Sequence, residues 1–119
     1  MRELLIDLIT TLGNICPAFI EVPFQTPFPY ITIEPGQTLR GLPGGPTLLK
    51  LNVKIWSRYK GTKEILQLAR AVENDLETYA PKAQKVSLKM MESTLVLLSD
   101  KKTRVHTFCL KARLGGTPQ

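Results

Sequence analysis

Within residues 48–59, apolar and polar positions alternate from Leu49 to Ile55. Leu49, Leu51, Val53 and Ile55 form one set, and Lys50, Asn52, Lys54, Trp56 and Arg58 form the other. A period of two places these sets on opposite faces of a strand and predicts one buried face. A helix of the same residues would scatter the lysines around its circumference and bury no side well. Gly61 and Thr62 follow, and the period then changes. Ile65, Leu68, Ala69, Val72, Leu76 and Tyr79 make a helical stripe, with Glu64, Arg70, Glu73, Asn74 and Glu77 on the remaining surface. Thr62 is a suitable N-cap, Glu64 sits near the positive end of the helix dipole, and Pro81 ends the helix at Ala80.

On either side of this strand–turn–helix unit the pattern is shorter-ranged. Leu5, Leu8, Ile9 and Leu12 recur at helical spacing over residues 2–12, and Gly13-Asn14 supplies a stop. A helix this short, with Arg2, Asp7, Thr10 and Thr11 on its polar side, must pack on something larger. Residues 17–35 are punctuated by proline. Residues 19–22 predict a brief strand cut off by Pro23, and residues 30–33 a second, with Ile31 and Ile33 on one side and Tyr30 and Thr32 on the other. Pro27 and Pro29 suit edge or pre-strand positions. Residues 34–47 read as the one long irregular segment, because five of the six residues from 41 to 46 are Gly or Pro. A loop of that length either reaches toward a neighbouring subunit or is a plain connection. Residues 86–90 alternate, and Met91-Glu92 then breaks the phase before residues 93–98, which predicts a bulge or two successive strands. A polar turn at 99–102 leads to a last strand, 103–114, with Phe108, Leu110, Ala112 and Leu114 on one face. Residues 115–119 read as a flexible tail. The order predicts a single α+β domain over 1–119: a mainly antiparallel sheet with an N-terminal helix and a central amphipathic helix packed on one face.

Composition narrows the function more by exclusion than by indication. The 119 residues are 43% hydrophobic and 22% charged, ordinary for a globular domain. No apolar run approaches the roughly 20 residues needed to span a bilayer. Met1-Arg2-Glu3-Leu4, with Asp7 following and no small-residue cleavage site, reads as a mature helix rather than a signal peptide. The net charge is +6 and the pI near 9.6, which suits either a lysine-rich solvated surface or contact with an acidic partner. The basic residues are spread over every segment, so no compact cluster stands out. The few aromatics are not interleaved with them, which argues against a stacking platform for single strands. Cys16 and Cys109, with one histidine in the chain, make no zinc site and read as small buried thiols in a reducing cytoplasm. His106 lies mid-strand with no nucleophile or carboxylate placed beside it by a motif. Glu73, Asp75 and Glu77 fall on a helix surface. The Gly-rich residues 41–45 lack the lysine and hydroxyl of a phosphate loop, and Pro43 and Pro46 remove N–H groups. The chain therefore reads as a non-enzyme, with no catalytic residue, cofactor or metal.

The order of elements resembles the tail completion and tail terminator family of long-tailed bacteriophages. Pro29-Tyr30-Ile31-Thr32-Ile33 is similar to that family's early strand, and Val53-Lys54-Ile55-Trp56-Ser57 to its central strand, which ends in Trp-Ser before a short turn. The helix with Ile65, Ala69, Val72 and Leu76 matches in position, and Arg104-Val105-His106-Thr107-Phe108 fits the final strand. The Gly/Pro-rich stretch after Pro35 departs from it. The resemblance implies a structural virion protein, made in the bacterial cytoplasm, that caps the head-proximal end of a tail tube as a six-fold ring. Its implied partners are further copies of itself, the tail tube protein and the head connector or stopper, with non-specific contact to DNA passing through the ring and none to a membrane. Lys50, Lys54, Trp56 and Arg58, together with Arg40 and Leu42, are the expected interface residues. Two alternatives stand beside this one: a connector or neck protein of the same particle, and a small basic nucleic-acid-binding domain that would line one face with Lys50, Lys54, Arg58 and Arg104 or Lys111.

Overall fold

The structure is a computed structural model that describes residues 2–40, 47–79 and 86–114. In chain order it contains α1 (Arg2–Leu12), β1 (Ala18–Phe19), β2 (Tyr30–Arg40), β3 (Thr47–Ser57), α2 (Lys63–Glu77), β4 (Val86–Leu97) and β5 (Arg104–Leu114). The strands form one sheet in the order β1-β2-β3-β5-β4, antiparallel except for β1 beside β2. This is the α+β architecture that the patterning predicts.

The alternation in β3 sets the core. Leu49, Leu51, Val53 and Ile55 are at most 1% exposed. Register carries the same face outward to Ile31 and Ile33 on β2 and to Phe108, Leu110 and Ala112 on β5. Leu4, Leu5, Leu8 and Leu12 of α1 and Ile65, Ala69, Val72 and Leu76 of α2 close the core from above. α1 lies over β1 and β2, and α2 lies over β3 and β5.

Three boundaries differ from expectation. The first strand is Ala18–Phe19 and not 19–22; Ile20, Glu21 and Val22 are exposed. Residues 34–40 are strand rather than loop. β1 pairs only with Ile31 and Thr32, so further along β2 is an edge, where Pro35 blocks no neighbour. The register slips between Pro35 and Thr38, and Gly36 sits in the slip, where a Cβ would lie 3.0 Å from the Lys50 carbonyl oxygen. Residues 41–46, the later half of the expected loop, lie outside the described residues, as does the expected tail at 115–119. Helix α2 ends at Glu77, short of Ala80, and the Thr78 N–H donates to the Asn74 carbonyl. Thr62 holds the cap position without a capping hydrogen bond from its side chain. β4 is one continuous strand, with Met91 as the bulge between Met90 and Glu92.

Candidate functional site

Both helices pack on one face, so among the described residues no helix covers the other, here called the bare face, although Thr32 and Val105 on it are buried. Cross-strand register writes it out in rows: Tyr30–Trp56–Val105–Val96, Thr32–Lys54–Thr107–Thr94, and Lys50–Lys111–Lys89. The first row is aromatic and tied into the fold. The Trp56 indole N–H donates to Thr32 Oγ1 at 2.9 Å, and its ring stacks on Tyr30 at 6.0 Å between centroids. Tyr30 in turn meets Phe28 at 5.1 Å and Phe19 at 6.4 Å. In the second row Lys54 pairs with Glu34 on β2 at 3.1 Å. The third row sets three lysines directly opposite one another on adjacent strands, an arrangement that repels across each pair.

At the aromatic end of the sheet, two turns meet. Arg58, just past β3, lies 4.5 Å above the Phe28 ring, and its Nε donates to Thr103 Oγ1 at 3.0 Å. Its guanidinium also reaches Asp100 at 3.8 Å. Asp100 organises the β4–β5 turn, accepting from the N–H groups of Lys102 and Thr103, both at 2.9 Å, and from the Thr103 hydroxyl at 2.7 Å. Those hydrogen bonds, led by the Thr103 hydroxyl and aided by Arg58, hold its carboxyl down to about 2. Lys101 takes a left-handed φ of 60° in this turn. Arg104 donates to the Tyr59 carbonyl at 3.2 Å. The outcome is an open cleft of about 290 Å³ lined by Arg58, Lys60, Lys101, Lys102 and Arg104. The expectation of no compact basic cluster is thus corrected: folding brings together cations that lie on two turns far apart in sequence.

Lys50, Lys54 and Trp56 lie on the bare face as their alternation predicts, and Lys111 joins them. Arg58 does not; it turns into the cleft with Arg104. Arg40 ends β2 opposite Thr47, and Leu42 is outside the described residues. Sequence reasoning missed Lys60, Lys101 and Lys102, and it missed that the apolar side chains of β4 are exposed. Leu88 and Met90 of that edge strand pack against the core, but Met91, Leu95, Val96 and Leu97 are 39–57% exposed. The signal was present in the consecutive apolar run from Leu95 to Leu98, which breaks the alternation seen elsewhere.

The remaining chemistry is sparse. His106 lies on the helix side of the sheet, 4.6 Å from the Phe108 ring, and its buried Nδ1 has no hydrogen-bond partner among the described residues. Burial lowers its pKa, against a smaller upward pull from Glu73. Cys16 is buried, and burial, with Glu64 nearby, pushes its thiol up to about 11. Cys109 is free as well but only half-buried, contrary to expectation, because it points to the bare face between Asn52 and Glu92. Among the described residues no three His, Cys, Asp or Glu side chains group so as to hold a metal, and no helix is long and apolar enough to cross a membrane.

No family model matches the chain, and no curated protein matches it. Among solved structures it is similar to a chain from a structure described as the virion of a native gene transfer agent particle. The TM-score is 0.70 at 16% sequence identity, covering 92% of this chain and 84% of the other. At that identity the likeness is one of fold, and it extends over nearly the whole of both chains.

Proposed function

We propose that this chain is a structural protein of a phage-derived virion, and that within such a particle it caps the head-proximal end of the tail tube. The observation that carries the reading is the fold likeness, over nearly the full length, to a chain of a gene transfer agent virion. The order of elements resembling the tail terminator family adds the finer position.

The geometry suits ring assembly. β4 leaves an edge of 12 residues with Met91, Leu95, Val96 and Leu97 exposed, and exposed apolar edges on a soluble domain are covered by partners. On the opposite side of the sheet, β2 is an open edge beyond its pairing with β1. Two different edges on opposite sides favour head-to-tail contact between copies, which closes into a ring. In a six-fold ring of this kind, the face that carries Lys50 would meet the tube protein or the head connector.

The test is tube assembly. Adding the purified protein to polymerising tube protein of the same particle should shorten the tubes and leave a cap at one end. Tubes of unchanged length, with the protein bound instead to the isolated connector, would move it to the neck. The alternative of a nucleic-acid-binding domain has one observation in its favour, the basic cleft.

A further inference from the structure

We propose that the cleft between the β3–α2 and β4–β5 turns is a binding site for the phosphate backbone of duplex DNA, read without regard to sequence. Five cations line it, and among the described residues the ion pair to them is Arg58 with Asp100. Its carboxylate is occupied by three hydrogen bonds within its own turn. The cleft therefore presents about four unneutralised positive charges to an incoming anion.

The arrangement favours a polyanion over a single phosphate. The cations come from two turns on either side of an open depression, so they surround no single point. Lys60, Lys101 and Lys102 are exposed, and three flexible point charges track a backbone better than they enclose one ion. Arg58 and Arg104 are fixed, Arg58 by Phe28 and Thr103 and Arg104 by the Tyr59 carbonyl. They give the cleft a rigid floor. Among the described residues no Asn or Gln lines it, and contacts of this kind position a duplex without reading bases. The row Lys50–Lys111–Lys89 lies elsewhere on the molecule and serves as the competing patch.

The site stands on the cleft alone and does not depend on ring formation. The experiment is fluorescence anisotropy of the full chain with a random-sequence duplex of about 30 bp, between about 50 mM and about 200 mM salt. Four phosphate contacts predict an affinity loss of about 150-fold across that range in the wild type, and removal of two of them predicts about 12-fold. Lys60→Ala/Lys102→Ala should show the smaller loss and weaker binding at the low-salt end. Lys101→Gly should lose one contact's worth of salt dependence without harming the fold, since glycine suits its left-handed φ. Lys50→Ala/Lys89→Ala/Lys111→Ala should leave the salt dependence unchanged.

The proposal is overturned by absence of binding at the low-salt end, or by cleft variants that keep the wild-type salt dependence. It is equally overturned if the face lysines carry that dependence, or if inorganic phosphate at matched ionic strength displaces the duplex. Binding to phosphatidylglycerol vesicles in place of DNA would overturn it too. Light scattering on the same samples separates the two proposals: a monomer that binds DNA through the cleft keeps this site and rejects the ring.

Discussion

Trp56 is where the structure and an interface role make opposite demands, and Trp56→Ala decides between them. In the fold its indole stacks on Tyr30 at 6.0 Å with the rings 19° apart, and its N–H is held by Thr32 Oγ1 at 2.9 Å. The stack contributes about 1 kcal/mol beyond burial. The hydrogen bond contributes about 1 kcal/mol, because Thr32 is 5% exposed and its hydroxyl would lose a partner out of water. Covering about two thirds of a roughly 200 Å² side chain adds about 3 kcal/mol at 25 cal/mol per Å². These sum to an upper bound, since the unfolded chain already covers part of that area, and a net loss of about 3 kcal/mol is expected. For a chain of 119 residues this lowers Tm by about 12 °C. Circular dichroism melts and urea titrations read it without relying on tryptophan fluorescence. Trp56→Phe keeps most of the stack and should lose about 1–1.5 kcal/mol. A double-mutant cycle of Trp56→Phe with Thr32→Val should return a coupling of about 1 kcal/mol. A loss below about 1 kcal/mol for Trp56→Ala would refute the reasoning, because the ring would then be free of its own chain and available as an anchor for a partner.

Three further outcomes follow from the same geometry. The His106 pKa is lowered in the fold from its ordinary 6.5, so the unfolded chain binds the proton more readily. Its contribution to stability is present above about pH 6.5 and is lost as pH falls through the lower folded value. Wild type should thus lose stability on mild acidification more steeply than His106→Gln in urea midpoints, and equal slopes would contradict the assignment. With an aromatic disulfide reagent, Cys109 should react in the native protein and Cys16 only after unfolding, because Cys16 is buried with its thiol pushed up to about 11; two fast thiols would contradict the packing. Lys111→Thr relieves two directly opposed lysine pairs and should raise stability by about 0.5–1 kcal/mol at low salt. The gain should shrink in about 1 M salt, as screening removes the repulsion.

Much of the fold is legible in the sequence because one strand carries so regular a pattern. The Leu49–Ile55 alternation names the buried face, and the Ile65–Leu76 stripe names the helix that covers it. The Met91 bulge is announced by the phase break. The continuation of β2 through residues 34–40 is not legible, because proline and glycine read as loop unless the strand is known to be an edge there. Edge position follows from how short β1 is, and that is a tertiary fact. The basic cleft was hidden for a related reason. Arg58 and Lys60 belong to one turn and Lys101, Lys102 and Arg104 to another, and nothing local says that they meet. Trp56 shows the reverse case: its position on the bare face is plain from alternation, while its stacking on Tyr30 and bond to Thr32 depend on register. The exposed apolar run on β4 was visible but ambiguous, since a buried strand reads the same way. What exposes it is that α2 lies mainly over β3 and β5.

The proposed function rests on copies of this chain associating head to tail through the β4 edge into a closed ring. The most direct measurement is light scattering coupled to size-exclusion chromatography, run over a range of concentrations on wild type and on Val96→Lys/Leu97→Glu. Ring closure predicts a discrete species of six protomers for wild type, visible as rings by negative-stain microscopy. It predicts a monomer with unchanged circular dichroism for the variant. A wild type that stays monomeric at every concentration, or rings that persist in the variant, would contradict it.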